Sequence, residues 1–236
     1  MNRVHLAVCG VLACALILFS ADAAAKEPGD PIEAAIVKHV KDDRQRALAL
    51  LQETVDINSG TMNFAGVRKV GSVFEREFQA LGFSTQWIDG EAFNRAGHLV
   101  AHYGTRGPKI LLIGHLDTVF AEDSPLQKMR MIGDGKAGGP GSTDMKGGDV
   151  IIIHALRALR DSGQLANMRI RVVMTGDEEN SGDPTALSKQ ALLEAGEWAD
   201  IALGFEDGDG DPKTAAISRR GASGWQLEVT GRPAHS

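Results

Sequence analysis

The feature that most constrains this chain is a set of short apolar runs, each followed at once by acids or histidine. Residues 109–113 read Lys-Ile-Leu-Leu-Ile, a continuous apolar run of the kind found in strands buried on both faces. They lead into Gly114-His115-Leu116-Asp117. Residues 169–174 lead into Thr175-Gly176-Asp177-Glu178-Glu179, and residues 200–204 into Phe205-Glu206-Asp207. Between these runs, residues 149–159 and 184–195 have helical spacing. Strands alternating with helices need crossover connections, and therefore predict an α/β fold with a mostly parallel sheet flanked by helices. In such a sheet the residues just past the carboxyl ends of the strands line the ligand crevice. His115, Glu178, Glu179 and Glu206 should therefore converge from distant parts of the chain. A fourth cluster, Ser142-Thr143-Asp144-Met145-Lys146-Gly147-Gly148, stands just before a helix and should join them.

Ahead of this core, residues 31–57 have the spacing of a helix, with Ile32, Ile36, Val40, Ala47, Leu48, Leu51 and Val55 on its apolar positions. Residues 64–81 predict a second, with Val67, Val70, Phe74 and Phe78 on one stripe and Gly82 as its stop. Residues 83–88 and 98–103 read as short strands. Residues 213–218 and 224–230 read as strands with no helix between them.

At 236 residues and 43% hydrophobic content the chain can bury a core. Its net charge of −6 argues against a protein that tracks nucleic-acid phosphates. Arg3 precedes an apolar run from Leu6 to Phe19, and Ala21-Asp22-Ala23 or Ala23-Ala24-Ala25 offers a small-x-small cleavage site. This has the form of a secretory leader over residues 1–25, and the run is short for a bilayer span. The reading is export to the periplasm or medium, with no membrane association after cleavage. Both cysteines, Cys9 and Cys14, fall in the leader. The mature chain then has no disulfide, thiolate ligand or cysteine nucleophile.

Several carboxylates facing one another repel, and desolvation adds to the cost of keeping them charged. A divalent cation removes both problems. One imidazole with several carboxylates and no sulfur suits zinc, with manganese or cobalt as alternatives. Each cluster also has a plainer reading. His115 alone could cap a strand, Glu178-Glu179 could be a solvated loop, and Asp144 could cap a helix. Four such clusters on one sheet edge favour a site. Gly135-Lys136 lacks the serine or threonine and the upstream glycine of a phosphate loop. The stretch from Asp207 to Asp211 has Pro212 where a calcium loop needs glycine. His39, His98, His102 and His154 have no partners in sequence, so surface or core roles are expected of them.

Gly114-His115-Leu116-Asp117-Thr118-Val119, then Gly141-Ser142-Thr143-Asp144-Met145-Lys146-Gly147-Gly148, then Thr175-Gly176-Asp177-Glu178-Glu179, closely resemble the zinc metallopeptidase family of glutamate carboxypeptidases, aminoacylases and dipeptidases. The resemblance runs in order from about Ala47 to the last residue. It implies a co-catalytic site with two zinc ions. His115 and Glu206 would bind the first ion, Asp144 would bridge, and Glu179 would bind the second. Asp117 would orient the ring of His115. Glu178 would be the general base, moving a proton from water to the leaving amine. Gly231-Arg232-Pro233-Ala234-His235-Ser236 is similar to the opening of the family's lid, where the matching His235 would polarise the scissile carbonyl, often across a homodimer. The implied substrate is a small peptide or N-acyl amino acid.

The resulting division is a leader at 1–25, an incomplete zinc-binding catalytic domain at 26–219, and the start of a smaller α+β lid or dimerisation domain at 220–236. The family's lid and return segment, with a further zinc-binding histidine, have no counterpart before Ser236. The resemblance thus implies a fragment or a truncated, inactive member. The alternative function is a non-catalytic binding protein that keeps the peptidase fold.

Overall fold

The structure is a computed structural model that describes residues 29–208, 211, 213–218, 227, 228, 230 and 231. The leader and the lid motif with His235 lie outside the described residues. Helix α1 (Pro31–Asp42) opens on Asp30, whose carboxylate accepts from the Ile32 amide at 2.8 Å, with proline at the first helical position. Helix α2 (Arg44–Val55) follows after a break at Asp43. The single helix expected over 31–57 is therefore two. Asp43 is a poor interior helix residue, and its carboxylate is drawn to His154 at 2.7 Å and Arg157 at 3.5 Å.

Helix α3 (Phe64–Ala80) forms as its stripe predicts. Asn63 accepts from the Gly66 amide at 2.9 Å, and Val67, Val70, Phe74 and Phe78 are fully buried. Gly82 adopts φ +87°, the left-handed turn that ends the helix. Strands β1 (Ser84–Asp89), β2 (Gly97–Tyr103) and β3 (Lys109–His115) come next. A hairpin of β4 (Arg130–Gly133) and β5 (Lys136–Gly138) turns at Asp134-Gly135, both with positive φ. Asp-Gly is a strong hairpin signal, and it accounts for the dipeptide Gly135-Lys136. Helix α4 (Lys146–Asp161), β6 (Arg169–Thr175), α5 (Thr185–Ser188), α6 (Gln190–Trp198) and β7 (Ile201–Gly204) complete the order.

Five strands form one sheet in the order β1-β2-β6-β3-β7. The β1–β2 and β2–β6 pairings are antiparallel, and β6–β3 and β3–β7 are parallel. Four strands thus point one way and β2 alone points back, so the sheet is mixed but mostly parallel. The main core lies between the sheet and α3 with α4, from Val70, Phe74 and Phe78 across to Ile152, Ile153 and Leu156. A smaller cluster packs α6 on the other face through Ala195 against Leu111 and Val173. Among the described residues no helix is long and apolar enough to cross a membrane.

Two expectations need correction. The helix expected over 184–195 breaks at Lys189, whose ammonium bonds the carbonyl and carboxylate of Asp177, each at 3.2 Å. Residues 213–218 are not a strand. Ile217 is 98% exposed, so the short apolar stretch there joins no sheet. The strand expected at 224–230 falls largely outside the described residues.

Candidate metal centre

Strand register brings the site together. Ile113 pairs with Gly204 and His115 with Thr175. His115 and Glu206 are each two residues beyond the Ile113–Gly204 pair, so they arrive at the same level on neighbouring strands. The His115 Nε2 atom lies 3.2 Å from Glu206 Oε1 and 2.9 Å from Asp144 Oδ1. Asp144 comes from the loop entering α4, where its peptide bond to Met145 is cis. Close packing of α4 against β7 depends on Gly148. A Cβ there would stand 2.0 Å from the Phe205 carbonyl oxygen, so a larger residue would push α4 away from the strand that delivers Glu206.

His115 and Asp117 are fully buried. The ring is oriented through its Nδ1, 3.0 Å from the Asp117 main-chain carbonyl. That carbonyl can only accept, so Nδ1 carries hydrogen and Nε2 faces Asp144 and Glu206. The Asp117 carboxylate stands 3.5 Å from the same Nδ1, an ion-pair distance rather than a hydrogen bond. It does something else. It accepts from Thr61 Oγ1 at 2.7 Å and from the amides of Glu178 at 3.0 Å and Glu179 at 3.2 Å. One buried acid therefore ties the histidine to the loop that carries both glutamates.

The electrostatics are those of a site built around positive charge. Burial opposes protonation of His115, but the facing carboxylates of Asp117 and Glu206 outweigh it and push the imidazole up to about 12. Burial also works against the Asp117 carboxylate, yet His115 and Thr61 hold it below its ordinary range. Glu178 and Glu179 are pushed up, first by burial and then by neighbouring acids that include Asp144 and Asp117. Burial drives the Asp149 carboxyl far above the usual range.

A divalent ion fits this donor set. His115, Asp144 and Glu206 each offer one ligand atom, all within 4.8 Å of one another. Imidazole nitrogen and carboxylate oxygen are the ligands zinc takes in catalytic sites. Glu178 and Glu179 stand on the adjoining loop and are outside that three-residue group. A cavity of about 570 Å³ opens beside Glu179, walled by Thr61, Met62, Thr118, Val119 and Asn180.

Four buried residues of the site were given no individual role from the sequence. Thr61 bonds Asp117. Asp177 accepts from the Gly182 amide at 2.7 Å and from Ser188 Oγ, which pins the glutamate loop from behind. Lys146 reaches back to the carbonyls of Thr54 at 3.0 Å and Ile57 at 2.9 Å, joining the end of α2 to the start of α4. Asp149 carried a usable signal, since it is the one acid on a stripe shared with Ile152, Ile153 and Leu156. His98, expected in a core or surface role, is a core residue. Its Nδ1 accepts from the Gly176 amide at 3.1 Å and its Nε2 donates to the Ser188 carbonyl at 2.8 Å.

The profile of peptidase family M20/M25/M40 matches residues 111–218. Carboxypeptidase G2 of Pseudomonas sp. (strain RS-16) is 28% identical over 196 residues, which are 83% of this chain and 46% of that protein. Succinyl-diaminopimelate desuccinylase of Bradyrhizobium sp. (strain ORS 278) is 31% identical over 204 residues, 80% of this chain and 51% of that protein. The chain thus spans about half the length of these curated relatives. Human carnosine dipeptidase 1 has the same fold, with a TM-score of 0.62 at 20% identity over 73% of this chain and 40% of its own. An M20 family metallo-carboxypeptidase from Sulfolobus solfataricus matches with a TM-score of 0.55 at 17% identity, over 69% of this chain and 37% of its own.

Proposed function

We propose that this chain, whose residues 111–218 match the profile of peptidase family M20/M25/M40, is the catalytic portion of an exported zinc-dependent hydrolase cleaving the amide bond of a small peptide or N-acyl amino acid. The observation that carries this reading is the convergence of His115 Nε2, Asp144 and Glu206 within 4.8 Å at the carboxyl ends of parallel strands. These three would hold one zinc, and Asp144 with Glu179 would take part in holding a second. Bound there, the metal supplies Lewis acidity toward a carbonyl oxygen and lowers the pKa of water.

The chain's own residues do the rest. Asp117 fixes the Glu178 amide, which sets where the Glu178 carboxyl can reach. That carboxyl is pushed up by burial and by Glu206, Asp117 and Asp144, toward the pH at which a general base is most effective. The cavity beside Glu179 is large enough for a small peptide. His235 would polarise the scissile carbonyl from the lid, across a dimer in the arrangement the resemblance implies. The apolar leader at 1–25 supports work outside the cytoplasm, on peptides or amino-acid conjugates.

The test assays the full reading frame, zinc-loaded and chelated, against N-acyl amino acids and dipeptides. Zinc-dependent hydrolysis is expected. Glu178→Gln should lower kcat by about 10²–10⁴ with zinc content unchanged. Near-normal kcat in that variant would remove Glu178 from the role of base. No zinc-dependent hydrolysis across the panel would leave a binding protein as the better reading.

A further inference from the structure

Asp149 is fully buried, and among the described residues neither carboxylate oxygen has a hydrogen-bond partner. A buried polar group without a partner costs on the order of 1–3 kcal/mol, more when charged. It occupies a place on α4 where an apolar residue would pack with Ile152 and Ile153. Lys146, in the same helical turn, acts on it through charge and not through a hydrogen bond, because that ammonium is bonded to the carbonyls of Thr54 and Ile57. A cation held close by would offset that cost.

Its position says what. A Cβ at Gly114 would stand 2.1 Å from Asp149 Oδ1, so the carboxyl rests against the main chain next to His115 and only glycine leaves room for it. His115, Glu206, Lys146 and Asp117 are the charged groups that act on it. It is not one of the three residues whose ligand atoms cluster within 4.8 Å, so it acts from behind them. It also lies in the first turn of α4. The positive end of a helix opposes a nearby cation, and an acid in that turn cancels the effect.

We propose that Asp149 is a positioning residue of the metal centre, a sealed counter-charge under Gly114 that strengthens ion binding at His115, Asp144 and Glu206 and destabilises the metal-free fold. This rests on the metal reading above. The experiment measures two quantities on the full chain, wild type and Asp149→Asn and Asp149→Val. One is the zinc dissociation constant by competition with a chromogenic chelator. The other is the thermal midpoint of the metal-free protein. Zinc binding should weaken about tenfold or more, while the metal-free midpoint stays level or rises. A merely structural residue would not separate the two in this way. Should the valine variant fail to fold, the near-isosteric asparagine variant decides alone. Affinity within fivefold of wild type overturns the inference, as does a metal-free midpoint that falls together with affinity. If wild type binds no zinc, the metal reading and this inference both fail. If wild type binds and Asp149→Asn binds equally, only this inference fails.

Discussion

The two sides of the metal centre are built differently. On the β3–β6 side, His115 and Asp117 are sealed, with the His115 Nδ1 held by a main-chain carbonyl and the Asp117 carboxylate by Thr61 and two main-chain amides. On the β7–α4 side, the ligands are carboxylates left open to solvent, with side-chain exposures of 55% for Asp144 and 42% for Glu206. Strand β7 itself is an exposed edge along its whole length. The difference has a physical reason. The His115 ring can be sealed because the acids around it compensate its charge, and its bond to the Asp117 carbonyl fixes it before an ion arrives. Two carboxylates close together cannot both be buried without a cation to hold them. The site therefore presents one preset ligand and leaves two to be drawn in.

This contrast can be broken by substitution. The largest expected effect is that of His115→Ala, which removes the preset ligand. Zinc affinity should fall by more than about 100-fold, beyond the range usual for outer residues, in a competition titration. A loss no greater than that of Glu206→Gln would mean that the two sides are equivalent. Asp117→Asn comes next, with a loss of about 10- to 100-fold. Because Asp117 also receives the Glu178 and Glu179 amides, hydrogen exchange at those two amides should speed up in this variant. Unchanged exchange would show that the glutamate loop is held by Asp177 and His98 alone. Glu206→Gln should cost about tenfold or less, since a carbonyl oxygen remains to face the ion and the side chain is already half in water.

The smallest effect concerns pH and the histidines that hold the frame. Burial lowers the pKa of His98, His102 and His154, with Arg171 adding to the effect at His102 and Arg157 at His154. A histidine whose folded pKa lies below its unfolded value of about 6.5 binds its proton more readily when unfolded. Stability should therefore begin to fall as pH drops below about 6.5, and the loss should level off below the folded pKa values. Chemical denaturation of the metal-free protein, repeated from about pH 7.5 down to about pH 5.5, reads it out. Replacing His98 should flatten that slope on the β2–β6 side. A slope unchanged by the replacement would place the proton uptake elsewhere.

How much of this was legible depended on whether a residue's role is local. The runs at 109–113 and 169–174 are buried on both faces, so their hydrophobicity alone identifies them as central strands. Once those strands are parallel, the rule that ligands gather past their carboxyl ends brings His115, Asp144 and Glu206 to one place. The stripe of α3 was equally plain, since its four apolar residues face the sheet without exception. Roles set by distant partners were not legible. Asp43 breaks a helix because His154 and Arg157, more than a hundred residues away, attract it. Lys189 breaks another for the sake of Asp177. Residues 213–218 read as a strand, but a short apolar stretch forms no strand without a neighbour to pair with. Asp117 was expected to orient His115. Its carbonyl bonds the ring, and its carboxylate, 3.5 Å from the same nitrogen, also holds the glutamate loop, a second role set by distant partners.

The central claim is that a divalent ion is gathered by one sealed imidazole and two solvent-exposed carboxylates at the end of β3. Diffraction from crystals grown with zinc, collected on both sides of the zinc absorption edge, tests it most directly. The account predicts an anomalous peak about 2.0–2.1 Å from His115 Nε2, with Asp144 and Glu206 oxygens at about 2.0–2.2 Å and the His115 ring still bonded through Nδ1 to the Asp117 carbonyl. A zinc ion found instead at His39, His98 or His154, with none at His115, would contradict it.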